Sequence, residues 1–368
     1  MKIFNNIKIL YKILLTTKFR FAKPKKIDFL LYDQGIIFNK IVRDYLKKYE
    51  VSVLHCRFEE LNIYVILNVL IKLKFLNGLS LFQNYIIQYC KLTKPKIILS
   101  STVWDEKILV IKKYMSHQLK IMFVQMFPLK NEYFQILKNK KNKIDYFFYF
   151  DNKSLKIVKK YFVAKFIKIG SFRNNDTNIL KNKTKNKNIL LISGFKKNFI
   201  TKKPRTFWEL NIYHEKKILE ILYKILAKNH QFKILLKPDV SKKDYLKFMN
   251  CDQKILISNK GDSYNKMEEF DIVIGLNDST MCREALSRGI KSLLITKREI
   301  KYPSNFYEFN KKINYENIKK FIKYFSSIST KKYFQTYQKM KLEILTYDYN
   351  NLIFRKTLIE NFSNLNEN

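Results

Sequence analysis

Short apolar runs alternate with longer segments of helical periodicity along most of this chain. Residues 27–32 (Ile, Asp, Phe, Leu, Leu, Tyr) predict a first strand, and 33–35 (Asp, Gln, Gly) a turn. Helical spacing follows over 36–49, a second strand over 51–54, and one or two sheet-covering helices over 61–92. Lys94 and Pro95 end that region, 96–99 reads as a strand, and 100–105 (Ser, Ser, Thr, Val, Trp, Asp) as a polar loop at its C-terminal edge. A helix is expected over 106–116, and strands over 120–125, 145–150 and 166–169. Short β-rich runs separated by helices are the pattern of a parallel sheet covered on both faces.

Residues 176–187 are rich in Asn and Lys and interrupt the pattern, as an interdomain linker does. Alternation then resumes. A strand is expected over 188–192, followed by a loop through Ser193, Gly194 and Phe195. Asn211 can cap a helix running to about residue 229, with a broad apolar face. Strands over 233–236 and 255–257 and a short helix over 264–269 come next, then a last strand over 292–296. Residues from 314 onward have helical spacing. The expected organisation is a basic amphipathic N-terminal segment (1–26), a Rossmann-like domain (27–175), a linker (176–187), a second Rossmann-like domain (188–313), and C-terminal helices packing back across the molecule (314–368). The fold class is α/β, with two doubly wound domains facing a cleft.

The stretch 270–289 is the most informative. Ile272, Val273 and Ile274 suit a strand buried on both faces, and Gly275 to Asp278 a short turn. Ser279 or Thr280 can cap the next helix, and Gly289 can end it. Such a unit leaves free backbone N–H groups at the C-terminal edge of a parallel sheet, where open α/β sheets bind ligands and where phosphate suits a helix N-terminus. Glu284 lies about one turn further on and could accept hydrogen bonds from ribose hydroxyls. An ordinary well-capped strand–turn–helix unit has the same pattern.

Composition narrows the picture. The 368 residues suffice for two domains, 46% are hydrophobic, and the net charge is +41, from 72 Lys+Arg against 31 Asp+Glu. Most of the basic residues are Lys and are spread along the whole length. A nucleic-acid binder more often clusters Arg or interleaves a basic stripe with aromatics, so no specific nucleic-acid partner is expected. The charge fits a solvated surface, or attraction to anionic lipid or substrate. Residues 1–26 read as a basic amphipathic helix that packs on the domain or lies on a membrane surface. Cys56, Cys90, Cys251 and Cys282 form no CxxC pair, and the four His have no metal-ligand spacing. Buried free thiols in a reducing cytoplasm are expected.

Four places carry a resemblance to a family. They are Phe123, Val124 and Gln125; the run Ile169, Gly170, Ser171, Phe172, Arg173, Asn174, Asn175; His214 and Glu215 with Lys237 and Pro238; and Asp271 through Gly289. Their order resembles that of bacterial surface-carbohydrate or O-antigen biosynthesis proteins, glycosyltransferases of the GT-B architecture. The resemblance implies a nucleotide-sugar donor held by the C-terminal domain and a glycan or lipid-linked acceptor on the N-terminal one. Ser279, Thr280 and Asn277 would then meet the donor phosphate, Glu284 the ribose, Gly194 would let backbone approach the donor, and Lys237 would neutralise phosphate charge. His214 could also contact phosphate.

An inverting transferase needs a base on the acceptor side. Asp105 is the first candidate, with Glu106 and Asp33 as alternatives; each also suits a helix N-cap or first-turn carboxylate. No DxD-type metal motif stands out, so no metal or other cofactor is expected. The reading is a cytoplasmic glycosyltransferase at the inner face of the cytoplasmic membrane. Its rivals are a nucleotide-sugar epimerase of the same architecture and a non-catalytic basic protein binding membrane or polyanions.

Overall fold

The structure is a computed structural model. It describes residues 17–33, 36–56, 59–71, 78–115, 119–127, 129, 131–137, 141–177, 188–195, 207–226, 231–259, 263–276, 279–296, 308–310, 315–329, 331–333, 335 and 346–366. The chain forms two compact units, residues 1–173 with 351–368, and residues 174–350.

The first unit contains β1 (Lys18–Arg20), β2 (Phe29–Asp33), β3 (Val51–His55), β4 (Glu60–Asn62), β5 (Ile97–Ser100), β6 (Lys120–Val124), β7 (Asn142–Tyr149) and β8 (Phe162–Lys168). Six of them make a wholly parallel sheet in the order β3-β2-β5-β6-β7-β8, and β1 and β4 pair separately. Side chains alternate between faces of a strand, and here both faces are covered. Leu30 and Tyr32 enter one core with Ile86, Ile108 and Val158, from the helices Leu81–Thr93, Glu106–Tyr114 and Asn152–Tyr161. Phe29 and Leu31 enter the other with Phe38 and Val42 of the helix Ile36–Tyr45 and with Phe354, Leu358 and Phe362 of the helix Leu352–Asn366. The last three, four residues apart, form one stripe.

The second unit contains β9 (Asn188–Ile192), β10 (Gln231–Leu235), β11 (Leu256–Ile257), β12 (Ile272–Leu276), β13 (Lys291–Thr296) and β14 (Glu308–Asn310). They form a parallel sheet in the order β11-β10-β9-β12-β13-β14. Counted from its first strand this is 3-2-1-4-5-6, the Rossmann order. Each unit is therefore a doubly wound α/β fold.

Several expectations are corrected. Residues 18–20 of the proposed N-terminal amphipathic helix form a strand, because their backbone groups pair with 60–62; residues 1–16 lie outside the described residues. The helix expected from an Asn211 cap starts at Phe207, so Asn211 is interior to it. A helix, Asn152–Tyr161, stands between β7 and β8, started by the Asp151 carboxylate, which accepts from the Ser154 N–H at 2.7 Å. The units divide between Arg173 and Asn174 rather than after 175; the C-terminal segment 351–368, expected to pack back across the molecule, clusters with the first unit. The side chains explain this: Phe172 is in the first core, whereas Asn174 donates to Ser287 Oγ at 2.7 Å.

Candidate functional site

In the second unit β9 lies between β10 and β12, and the chain leaves it in opposite directions on its two sides. That is the switch point of a doubly wound sheet, where the loops after two adjacent strands diverge and leave a crevice. Gly275 of β12 pairs with Ile192 of β9, so the Ser193–Gly194 loop and the turn after Leu276 emerge side by side. Ser279 caps the helix Thr280–Ser287, its Oγ accepting from the Cys282 N–H at 3.4 Å. Ser279 and Thr280 are partly exposed. Gly275 allows this close approach. A Cβ there would lie 2.7 Å from Cys282 Cβ and 2.9 Å from Ser279 Cβ.

Beneath the β9 loop sits a carboxylate to which the sequence assigns no role. Glu215 is 0% exposed, on the helix Phe207–Leu226. Its Oε2 accepts from the Gly194 N–H at 2.7 Å and its Oε1 from the Tyr245 hydroxyl at 2.7 Å. Lys237, just past β10, donates from Nζ to the Gly194 carbonyl at 3.1 Å. Gly194 is thus gripped through both its N–H and its carbonyl. Burial pushes the Glu215 carboxyl above the usual range, opposed by hydrogen bonds from Ser193, Tyr245 and Gly194 and by the Lys237 charge. Burial and the neighbouring Glu215 also push Tyr245 up, so its hydroxyl remains a donor. Only a carboxylate one position from a histidine was visible in the sequence; its partners come from the loop after β9 and from the helix Lys242–Leu246.

Glu284 is 1% exposed, and its Oε2 accepts from the Tyr264 hydroxyl at 2.5 Å. The Tyr264 carbonyl accepts from Arg288 Nη1 at 3.0 Å, and Arg288 Nη2 donates to Glu268 Oε1 at 2.6 Å. The helix Thr280–Ser287 turns this face onto residues 263–269, so Glu284 is closed over rather than open at the sheet edge. Gly289, at φ +85°, takes the left-handed conformation that ends this helix. Asn277 lies outside the described residues, as does the side chain of His214.

The first sheet, counted from β2, has the order 2-1-3-4-5-6, and its switch point lies between β2 and β5. Asp33 ends β2, and its side chain lies outside the described residues. The loop after β5 folds back on itself: Thr102 N–H donates to Ser100 Oγ at 3.0 Å and Asp105 N–H to the Thr102 carbonyl at 3.1 Å. Asp105 caps the helix Glu106–Tyr114 through Oδ1, which accepts from the Lys107 N–H at 3.0 Å; Oδ2 accepts from the buried Tyr32 hydroxyl at 2.6 Å. Glu106 is exposed in the first turn. Gln125 is 0% exposed and internally paired, donating to Ser154 Oγ and the Phe127 carbonyl and accepting from the Phe150 N–H. Among the described residues no group of three or more His, Cys, Asp or Glu could hold a metal ion, and no helix is long and apolar enough to cross a membrane.

The family comparison decides the affiliation. Residues 122–362 match the model of a family described as "putative O-antigen biosynthesis protein". The chain belongs to this family. No curated protein matches it. Among solved structures, the wall teichoic acid polymerase TagF, soaked with CDPG, aligns with a TM-score of 0.51 at 11% identity, over 92% of this chain and 89% of its own. Anabaena Alr3699/HepE, in complex with UDP and glucose, aligns with a TM-score of 0.50 at 12% identity, over 92% and 99%. At such identities the likeness is one of fold: the O-antigen family member has two Rossmann-like domains, as GT-B proteins do.

Proposed function

We propose that this O-antigen family protein is a glycosyltransferase that moves a sugar from a nucleotide-activated donor to a lipid-linked or nascent surface glycan. The observation that carries the reading is the switch point of the second sheet. There the gripped Gly194 loop adjoins the partly exposed N-terminus of the helix Thr280–Ser287. The first amides of a helix have no intrahelical acceptor, and the helix dipole favours an anion there. A donor diphosphate at Ser279 and Thr280 would meet these amides, with the Lys237 ammonium adjoining through the Gly194 loop. As the sugar–phosphate bond breaks, charge builds on the departing phosphate, and fixed donors stabilise it without reorganising. In this reading Glu284 holds Tyr264, and ribose would reach it only by taking the place of that hydroxyl.

On the acceptor side Asp105 is the assigned base, at the switch point of the first sheet, with Glu106 and Asp33 as the alternatives. The reading places the protein in the cytoplasm, with its basic N-terminal segment at the inner membrane face, and it invokes no metal. The test is saturation-transfer NMR of the full chain against a panel of nucleotides, followed by mass spectrometry of products from a mixed nucleotide-sugar pool. Binding of a nucleotide that weakens about tenfold in Thr280→Ala is expected. Absence of any nucleotide binding ends the reading. Turnover of a nucleotide sugar without acceptor would move it to an epimerase.

A further inference from the structure

We infer that a second pocket, on the open side of edge strand β3 in the first unit, binds a phosphate-bearing, hydroxyl-rich head group such as a sugar phosphate or glycerophosphate. The pocket holds about 380 Å³, within the size range of small-molecule sites. All five residues of β3 line it, and β3 has a sheet partner, β2, on one side only. Arg20 and Ala22 to Lys25 also line it, tied down where Asn62 Nδ2 donates to the Ala22 carbonyl at 2.9 Å. Tyr85 and Tyr89, one turn apart on the helix Leu81–Thr93, also line it.

Two observations point to the ligand. The first is a surplus of donors at buried positions. Tyr85 is 4% exposed; its oxygen accepts from the Asn62 N–H at 2.9 Å, and its own proton goes to no described residue. Ser52 and Tyr89 share one hydrogen bond at 2.8 Å between two hydroxyls, so one of their two protons is also unspent. Burial pushes Tyr85 up to about 12, so it stays a donor at neutral pH. Buried donors are normally paired, so the Tyr85 proton and the one left over from the part-buried Ser52–Tyr89 pair suit an acceptor-rich ligand. The second observation is charge. Arg20, Lys23, Lys25 and Arg43 line the pocket against Glu50 and Glu60. Arg20 is paired with Glu60 at 2.6 Å, while Lys23, Lys25 and Arg43 are in no ion pair among the described residues. These three are exposed and the tyrosines buried, so cations stand at the rim and neutral donors on the floor. A polyanion patch has no need of the floor, and a neutral sugar has no need of the rim.

The site belongs to the first unit and the residues assigned to the nucleotide to the second, so the two readings fail separately. Full-length protein is titrated with glucose 1-phosphate, glucose and UDP by calorimetry, and with phosphatidylcholine vesicles with and without phosphatidylglycerol. The Lys25→Glu/Arg43→Glu variant is compared with a control reversal, Lys216→Glu/Lys217→Glu, and with Tyr85→Phe. Expected is binding of glucose 1-phosphate, of phosphatidylglycerol vesicles, or of both, weakened about tenfold by the Lys25/Arg43 reversal and by Tyr85→Phe but not by the control. UDP binding stays unchanged in all of them. The arm that binds identifies a free or a lipid-borne head group. Binding in neither arm, equal binding of unphosphorylated glucose, or equal loss in the control overturns the inference.

Discussion

At the scale of single residues, the loop after β9 depends on a carboxylate that does not reach solvent. Glu215 satisfies the Gly194 N–H and the Tyr245 hydroxyl at once. Glu215→Ala would leave both donors unpaired beside a cavity, and a loss of about 2–5 kcal/mol in denaturant unfolding is expected. The carboxyl also has a pH signature. Its folded-state pKa is raised by burial, so the folded state holds the proton longer than the unfolded chain does. Stability is therefore greatest below the ordinary glutamate value and falls as pH rises from there toward the raised one. Unfolding midpoints measured across this window should show the decline in the wild type and a flatter profile in Glu215→Gln. Gly275→Ala forces a Cβ to within 2.7 Å of Cys282 Cβ, an atom fixed to a helix backbone. About 1–3 kcal/mol of destabilisation follows, read by the same unfolding assay.

Among the elements, the two switch-point helices start on short polar side chains, Asp105 and Ser279, and Asp105 has a second duty. Asp105 caps its helix and also accepts from Tyr32. Asp105→Ala should cost about 0.5–2 kcal/mol through the cap. Asp105→Asn keeps one oxygen for the Lys107 N–H, and its NH2 can donate to the Tyr32 oxygen, so it keeps the shape and separates structure from chemistry. If Asp105 is the base, turnover collapses while the unfolding midpoint hardly moves; retained turnover would reassign it to support. The strands and helices that a sequence pattern reveals best here are the long ones with strong periodicity. β1, β4 and β14 have three residues each, too few to show a period, and exist because a neighbouring strand supplies hydrogen bonds. The helix Asn152–Tyr161 has a weak sequence pattern because four lysines dilute its apolar stripe, leaving Ile157, Val158 and Tyr161 to pack inward.

For the whole molecule, charge and chain closure matter. A net charge of +41 repels itself in the folded state, so thermal midpoints should rise from low to moderate salt as screening sets in. A midpoint that falls with salt would show that ion pairs outweigh this repulsion. The helix Leu352–Asn366 returns to the first unit, where Phe354 packs within 4.9 Å of Phe172 and 5.0 Å of Phe148 between ring centroids. Phe354→Ala should cost about 3–5 kcal/mol, measured by denaturant unfolding. That cost would appear in the first unit although the residue lies near the end of the chain.

The sequence by itself determined the parallel α/β class, the doubling of the domain, and the strand–turn–capped helix at 272–289. All of these follow from local periodicity and from residues such as Ser279 and Gly289, whose backbone preferences act within a few positions. Tertiary structure alone decided the rest. Strand order made the Gly194 loop and the Ser279 turn neighbours, although they are far apart in sequence. Burial turned Glu284 from an open acceptor into the partner of Tyr264, and gave Glu215 its place beneath the β9 loop. Periodicity shows which face of an element is apolar. It does not show which other element will cover that face, and that partner sets the environment of every polar side chain beneath it.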